Sequence, residues 1–522
     1  MGAEAVTPHP GVLLVPFPAQ GHVTPMLQLA RALAAHGVAP TVAVPDFIHR
    51  RIAGSACGGG GGGVALASIP SGIVPADAGD DTPPPGFGAI VHAMEHHMPP
   101  HLERMLLAPP PRGGSSSRPF ACVVVDVLAS WAVPVAARCG VPAAGFWPAM
   151  LASYRVVAAI PELIDKGLIS ESGTPISSDD IHAHDGRRAV TGLGGILPAQ
   201  VELRADELPW LVGDPATQRS RFTFWLQTLR RARDLRWVLV NSFPDEAASA
   251  ARGHDGDARQ GPQVLPVGPA LLPGSAADGK PAAPPSCGNN KNHHQRQQGS
   301  SGSLWRADST CMGWLDAQRA GSVVYVSFGS WVGPIGADKV RELALGLQAT
   351  GRPFMWALRR DPSWRAGLPA GFADPGARGG VGKVVDWAPQ EDVLRHPAVG
   401  CYLTHCGWNS TLEAVRHGVP TLCYPVSGDQ FINCAYITGA WGAGLRLRAM
   451  NRDDVADGVA RVMDDGELGA RLRGNVRGLR DRVVTAEARR AADRNVGAFV
   501  DEIRREADHK PPPLPALIYS VL

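Results

Sequence analysis

Apolar residues along this chain fall into short unbroken runs, separated by stretches with helical spacing. Val12 to Phe17 (VLLVPF) is one run of strand length, and a Gly-containing turn follows it. Residues 24–37 (TPMLQLARALAAHG) then show helical spacing, with Pro early and Gly at the end. Strand-like runs recur at 38–45 and 122–125, the second closing on Asp126 and leading into a helical stretch over 129–140. The rhythm resumes with strands at 322–328, 354–358, 384–385 and 401–404 and a helix at 340–350. Continuous apolar strands alternating with helices predict parallel sheets covered on both faces. A last helical stretch, 485–505, carries Val496, Phe499, Val500 and Ile503 on one face and should dock rather than float.

Composition divides this pattern in two. Residues 273–303 are dominated by Gly, Ser, Asn, Gln, Lys and Pro and cannot bury enough surface to order themselves. The expectation is an N-terminal domain over 1–255, a flexible linker region over 256–310 and a C-terminal domain over 311–485, with a helix at about 486–510 packing back onto the first domain. Six consecutive glycines at 58–63 match a G-x-G-x-x-G pattern only trivially, because no strand precedes them, and read as a loop. The chain has 522 residues, with 50 basic and 48 acidic side chains and a net charge of +2, which argues against nucleic-acid binding. No apolar run reaches the ~18 residues of a membrane span, and the N-terminus lacks a secretory pattern. Nine cysteines form no disulfide framework. A cytoplasmic protein with free thiols is expected.

In open parallel sheets ligands sit beyond the carboxyl ends of the strands, and two such domains can face those ends across a cleft. His22 follows the first strand and has the titration range of a general base; Asp126 ends another strand of the same half and could orient it. In the second half, the strand ending at Thr404 leads through His405 and Gly407 to a helix expected to begin near Ser410, after about the fifth strand of that half. Ser410 and Glu413 have capping-box spacing. A strand, a Gly turn and a helix N-terminus make an anion site, with His405, Asn409 and Ser410 as added donors, and a diphosphate is its natural occupant. Glu413 could accept ribose hydroxyls, and Trp387 could stack on a base. Cys401, His405 and Cys406, the pair His96 and His97, and the pair His293 and His294 lack a second half at zinc spacing, so no metal is expected.

The segment Trp387 to Gln430 resembles, over its full length, the signature box of the plant family-1 UDP-glycosyltransferases. PFPAQGH, VVVD at 123–126, NSFPDEA at 241–247, PVGPAL and VVYVSFGS are similar to other landmarks of that family, in the same order. The resemblance implies a GT-B fold: two doubly wound, Rossmann-like α/β domains facing across a cleft, the rear one holding a UDP-sugar and the front one a small lipophilic acceptor. It implies that Trp387 stacks on uracil, that the Ala388 backbone reads the uracil edge, and that Gln390 and Glu413 hold the ribose. His405, Asn409, Ser410 and Ser330 would bind the diphosphate, and Trp408, Asp429 and Gln430 the sugar. His22 would be the base and Asp126 its partner, in an inverting transfer to a hydroxyl or carboxyl that needs no cofactor beyond the co-substrate and no metal. Gln430 at the end of the box implies UDP-glucose. Trp331 and Pro148 depart from the commonest family pattern. Phe47, Met94, Phe146, Trp147, Met150 and Tyr154 are the apolar candidates for acceptor contact. Rival readings are a non-catalytic nucleotide-sugar binder, a UDP-sugar epimerase on the same fold, and a nicotinamide-dependent oxidoreductase. The last needs a Gly-rich first turn, where FPAQGH has one Gly.

Overall fold

The apolar runs become the strands of two parallel sheets. The computed structural model describes residues 9–56, 63–73, 85–109, 119–176, 183–184, 187–243, 261–271, 307–329, 333–372 and 382–508. The strands are β1 (Gly11–Val15), β2 (Ala39–Pro45), β3 (Ala65–Ile69), β4 (Cys122–Asp126) and β5 (Ala143–Trp147), then a small antiparallel trio of β6 (Ala183–His184), β7 (Arg187–Thr191) and β8 (Glu202–Arg204). There follow β9 (Trp237–Val240), β10 (Gln263–Pro266), β11 (Val323–Ser327), β12 (Phe354–Ala357), β13 (Gly382–Val385), β14 (Val399–Thr404), β15 (Thr421–Cys423) and β16 (Gly444–Arg446). The first sheet runs β10-β9-β5-β4-β1-β2-β3 and the second β13-β12-β11-β14-β15-β16, parallel throughout. Val12, Leu13, Leu14 and Val15 are fully buried, as a strand covered on both faces requires.

Each sheet has one place where the strand order reverses. In the first it lies between β1 and β4, and in the second between β11 and β14. Such reversals open a crevice beyond the strand ends, because the connections on either side depart in opposite directions. The segments that leave these four strands therefore build the site.

Several boundaries differ from the sequence expectation. The first helix spans Gln20–Ala35, a turn earlier than expected, with Pro25 inside it. The stretch after Asp126 divides into a single tight turn, Val127–Ala129, and a helix, Ala132–Arg138. The expected linker region at 256–310 is too wide. β10 pairs with β9 in full register and Gly268–Leu271 is helical, so the first sheet extends past residue 255. An edge strand of four residues that closes on Pro266 carries too short a pattern to be read in advance. The polar run at 273–303 and glycines 58–62 lie outside the described residues. β14 is the fourth strand of the second sheet, where about the fifth was expected.

The final helix, Ala486–Asp508, docks on the first domain. Val496, Phe499, Val500 and Ile503 are almost fully buried beside Val12, Leu14 and Leu29, and Asn495 donates to the Pro266 carbonyl at 2.8 Å. Burying four such side chains contributes about 1.5–3 kcal/mol each. A further apolar cluster spans the two domains, joining Trp147, Met150 and Leu151 of the first to Trp408, Leu412 and Ile432 of the second. Among the described residues no helix is long and apolar enough to cross a membrane.

Candidate active site

His22 lies in the first turn of the helix that follows β1, and Asp126 is the last residue of β4. The reversal between these strands brings the two together: His22 Nδ1 and Asp126 Oδ2 are 2.8 Å apart. Asp126 is wholly buried while His22 keeps 23% of its side chain exposed. The other Asp126 oxygen accepts from the Leu128 N–H at 2.9 Å, so the carboxylate is held at both ends. With Nδ1–H donated to the carboxylate, the Nε2 lone pair of His22 is the one left for a substrate proton. The same helix supplies a link across the cleft. Pro25 has no N–H to offer the Gly21 carbonyl one turn back, and Asn409 Nδ2 from the other domain donates to that carbonyl at 3.2 Å.

At the second reversal, Thr404 leads through His405, Cys406 and Gly407 into the helix Trp408–His417. Cys406 takes a left-handed conformation, φ 65°, which starts the helix earlier than expected. Gly407 is its N-cap and no side chain caps it. The expected Ser410–Glu413 capping box is therefore absent, since Ser410 already sits in the first turn. The uncapped N–H groups remain free for an anion. The His405 ring is wedged between two glycine turns: a Cβ on Gly329 would lie 2.7 Å from its Nε2, and one on Gly407 2.4 Å. Burial pushes this imidazole down to about 4, and its Nδ1 is buried without a hydrogen-bond partner. His405 is thus neutral at neutral pH and offers an anion a hydrogen bond rather than a charge.

Gln390 opens the helix Gln390–Arg395 and ties the ribose candidates together. Its Oε1 accepts from the phenols of Tyr325 and Tyr402, each at 3.1 Å, which turns its amide nitrogen toward Ser410 Oγ at 2.9 Å and Glu413 Oε2 at 2.6 Å. Burial raises the Glu413 carboxyl to about 7, against the hydrogen bond from Gln390, which lowers it. Trp387 is half-exposed beyond the end of β13, and its carbonyl accepts from the Asp308 N–H at 2.8 Å; Ala388 is buried against Val385 and Val393. The two tyrosines were not singled out from sequence, because buried phenols on strands read there only as core.

Asp429 lies near enough to His22 for charge on that imidazole to favour its ionised form, although burial, the larger effect, raises its pKa. Asn433 donates to Asp429 and to the Cys406 carbonyl, linking the two loops. Gln430 Oε1 accepts from the Val426 and Ser427 N–H groups at 2.9 and 3.0 Å, so only its amide nitrogen remains for a ligand. The Trp408 indole is buried and donates to the Asn241 carbonyl at 2.6 Å, so a contact of this residue with a sugar would fall to its backbone N–H at the helix start rather than to the ring N–H. Phe47, Met94, Phe146, Trp147 and Met150 are core residues rather than acceptor contacts; Tyr154 alone of that group is half-buried. Pro148 is buried, its carbonyl taken by Asn241 Nδ2 at 3.2 Å. Toward the acceptor side, the buried Phe17 packs against His22, with ring centroids 5.1 Å apart, and the half-exposed Phe87 lies 6.4 Å beyond. Ser330 and Trp331 lie outside the described residues. The thiols of Cys406, Cys423 and Cys434 converge within 4.8 Å in an apolar setting of Ile437, Ala443 and Val476. Among the described residues that set is one ligand short of a tetrahedral zinc site, and it differs from the Cys401, His405, Cys406 group weighed from sequence.

A family profile described as UDP-glucoronosyl and UDP-glucosyl transferase matches residues 309–470. UDP-glycosyltransferase 82A1 of Arabidopsis thaliana is 42% identical over 513 residues, 95% of this chain and 99% of that one. Indole-3-acetate beta-glucosyltransferase of Zea mays is 32% identical over 96% of this chain and 100% of that one. Among solved structures, Os79 from O. sativa in complex with UDP superposes with a TM-score of 0.71 at 26% identity, covering 94% of this chain and 100% of that one. With two parallel-sheet domains of GT-B type and matches across nearly its whole length, the chain belongs to the plant family-1 UDP-glycosyltransferases, enzymes that move a glycosyl group from a UDP-sugar to a small acceptor.

Proposed function

We propose that this enzyme transfers glucose from UDP-glucose, with inversion, to a hydroxyl or carboxyl of a small lipophilic acceptor, and that His22 is its general base. The observation that carries this reading is the 2.8 Å contact of a half-open imidazole with a buried carboxylate at the strand-order reversal facing the uncapped helix at Trp408. His22 Nε2 takes the acceptor proton as the acceptor oxygen attacks the anomeric carbon from the face opposite UDP. Asp126 stabilises the imidazolium so formed. Positioned general-base catalysis of this kind contributes on the order of 10²–10⁴ in rate. Charge leaving with UDP falls on the free N–H groups of the helix start, on His405 and on Asn409; each well-placed donor is worth about 3–4 kcal/mol in the transition state. The donor side therefore needs no divalent ion. Trp387 would stack on uracil, Ala388 read its edge, and Glu413, held by Gln390, accept the ribose hydroxyls. Ser410 and Ser330 would join the diphosphate contacts, and Asp429 and the Gln430 amide would face the sugar.

The glucose assignment rests on Gln430 and is supported by the glucosyl transfer named for the maize relative. Seven buried free cysteines among the described residues favour a reducing, cytoplasmic location. Incubating purified protein with UDP-glucose and a library of phenols, terpenoids and carboxylic acids, with EDTA present, should give hexose adducts whose anomeric configuration is β by NMR. Free epimerised sugar without adducts would contradict the proposal. Gln430→His should move the kcat/KM ratio from UDP-glucose toward UDP-galactose, and an unchanged ratio would refute the role given to Gln430.

A further inference from the structure

Several half-buried arginines of this protein are matched to carboxylates, and one near the acceptor side is not. Arg231, late in the helix Pro215–Ala232, makes a bidentate pair with Glu95 at 2.7 and 2.8 Å, and Arg446 pairs with the buried Glu207. Arg221 lies on the same helix as Arg231 and has no carboxylate partner among the described residues, while its Nε is buried with no hydrogen-bond acceptor. Withdrawing a guanidinium from water without a counter-charge is unfavourable, and sites that do so are commonly built for a ligand anion. Burial pulls its pKa below the ordinary arginine value.

The position of Arg221 says what that ligand is. Its guanidinium lies 4.6 Å over the half-exposed ring of Phe87; Phe87 is 6.4 Å from Phe17, and Phe17 5.1 Å from the His22 ring. Phe224, one turn along from Arg221, meets Phe87 edge-on at 5.3 Å. The half-exposed Phe87, backed by the buried Phe17 and Phe224, thus lies between the base and a cation with no ion pair among the described residues. We propose that Arg221 is an anion-recognising residue of the acceptor site, and that the natural acceptor is an aromatic carboxylic acid lying against Phe87 with its nucleophilic oxygen at His22 and a separate carboxylate at Arg221. The guanidinium fork matches a carboxylate through two parallel N–H···O bonds, which a neutral polar group cannot imitate. This rests on the transferase reading above and adds the acceptor class to it.

The test measures binding apart from turnover. Affinities of para-hydroxyphenylpropanoate and of its neutral methyl ester for the UDP-loaded protein are compared by calorimetry, in the wild type, Arg221→Met and Arg221→Lys. The acid should bind about 10- to 100-fold more tightly than the ester to the wild type. Arg221→Met should bring the two together, and Arg221→Lys should restore part of the difference. Equal affinities in the wild type, or a preference that survives Arg221→Met, would overturn the proposal. Hexose transfer to the ester is read separately: its absence counts against the transferase reading, while the affinity ratio still decides the role of Arg221.

Discussion

His405 shows how a single side chain can mislead when read from its type alone. A histidine beside a diphosphate suggests a cation, yet burial holds it to about 4, so it is neutral in the folded protein. The consequence for stability follows from linkage. The unfolded chain takes up a proton near the ordinary pKa of 6.5 and the folded protein only near 4, so the stability contributed is complete above 6.5 and lost as the pH falls toward 4. The loss is on the order of 3 kcal/mol. Chemical denaturation of the wild type should show this acid-side slope and His405→Gln should flatten it; identical slopes would place the titration elsewhere. Glu413 runs the other way. Its carboxyl is raised to about 7, so its stabilising effect is present below the ordinary value of 4.5 and lost as the pH rises through 7, while its capacity to accept ribose hydroxyls grows over the same interval. Residue types at His22, Asp126 and His405 were legible because each ends or follows a strand; the charge state of His405 was not, since it depends on burial by groups distant in sequence.

At the scale of elements, the strand–turn–helix unit around residues 399–417 was legible and its start was not. Capping-box spacing between Ser410 and Glu413 suggested a helix beginning near Ser410. The left-handed Cys406 instead lets it begin at Trp408, and Gln390 claims both side chains that the box would have used. Residue spacing reports local options, and a side chain from another helix chose between them. Gly407 offers a clean test of this turn. Its φ is −60°, so alanine brings no backbone strain, but the new Cβ would lie 2.4 Å from His405 Nε2. Gly407→Ala should therefore displace the ring and weaken UDP binding by about tenfold or more, a loss comparable to one charge-assisted hydrogen bond. Calorimetric titration with UDP reads this directly, and an unchanged affinity would show that the wedge between the glycine turns does not shape the diphosphate site. The edge strand β10 escaped the sequence pattern for a different reason: it is four residues long and closes on Pro266, so its pairing with β9 fixes it.

Across the whole molecule, two sheets present their order reversals to each other, and the bonds that join the domains run close to the chemistry. Asn409 reaches the Gly21 carbonyl beside His22, and Trp408 reaches the Asn241 carbonyl. The alternation of strands and helices sufficed to expect two doubly wound domains, but no local pattern could say that the Trp408 indole would bond across the domain interface. Trp408→Phe keeps most of the ring and removes the N–H, leaving a buried carbonyl unpaired. It should cost about 1–3 kcal/mol of unfolding free energy, with UDP-glucose affinity within a few-fold of wild type. Lost affinity at unchanged stability would return Trp408 to the sugar. The central claim, that an imidazole from the front domain takes the acceptor proton while the rear domain holds the nucleotide, is tested most directly by His22→Ala. Turnover of a phenolic acceptor and the Kd for UDP should be measured on the same preparation. The account predicts kcat lower by about 10²–10⁴ with the UDP Kd unchanged. Turnover within a few-fold of wild type would contradict it.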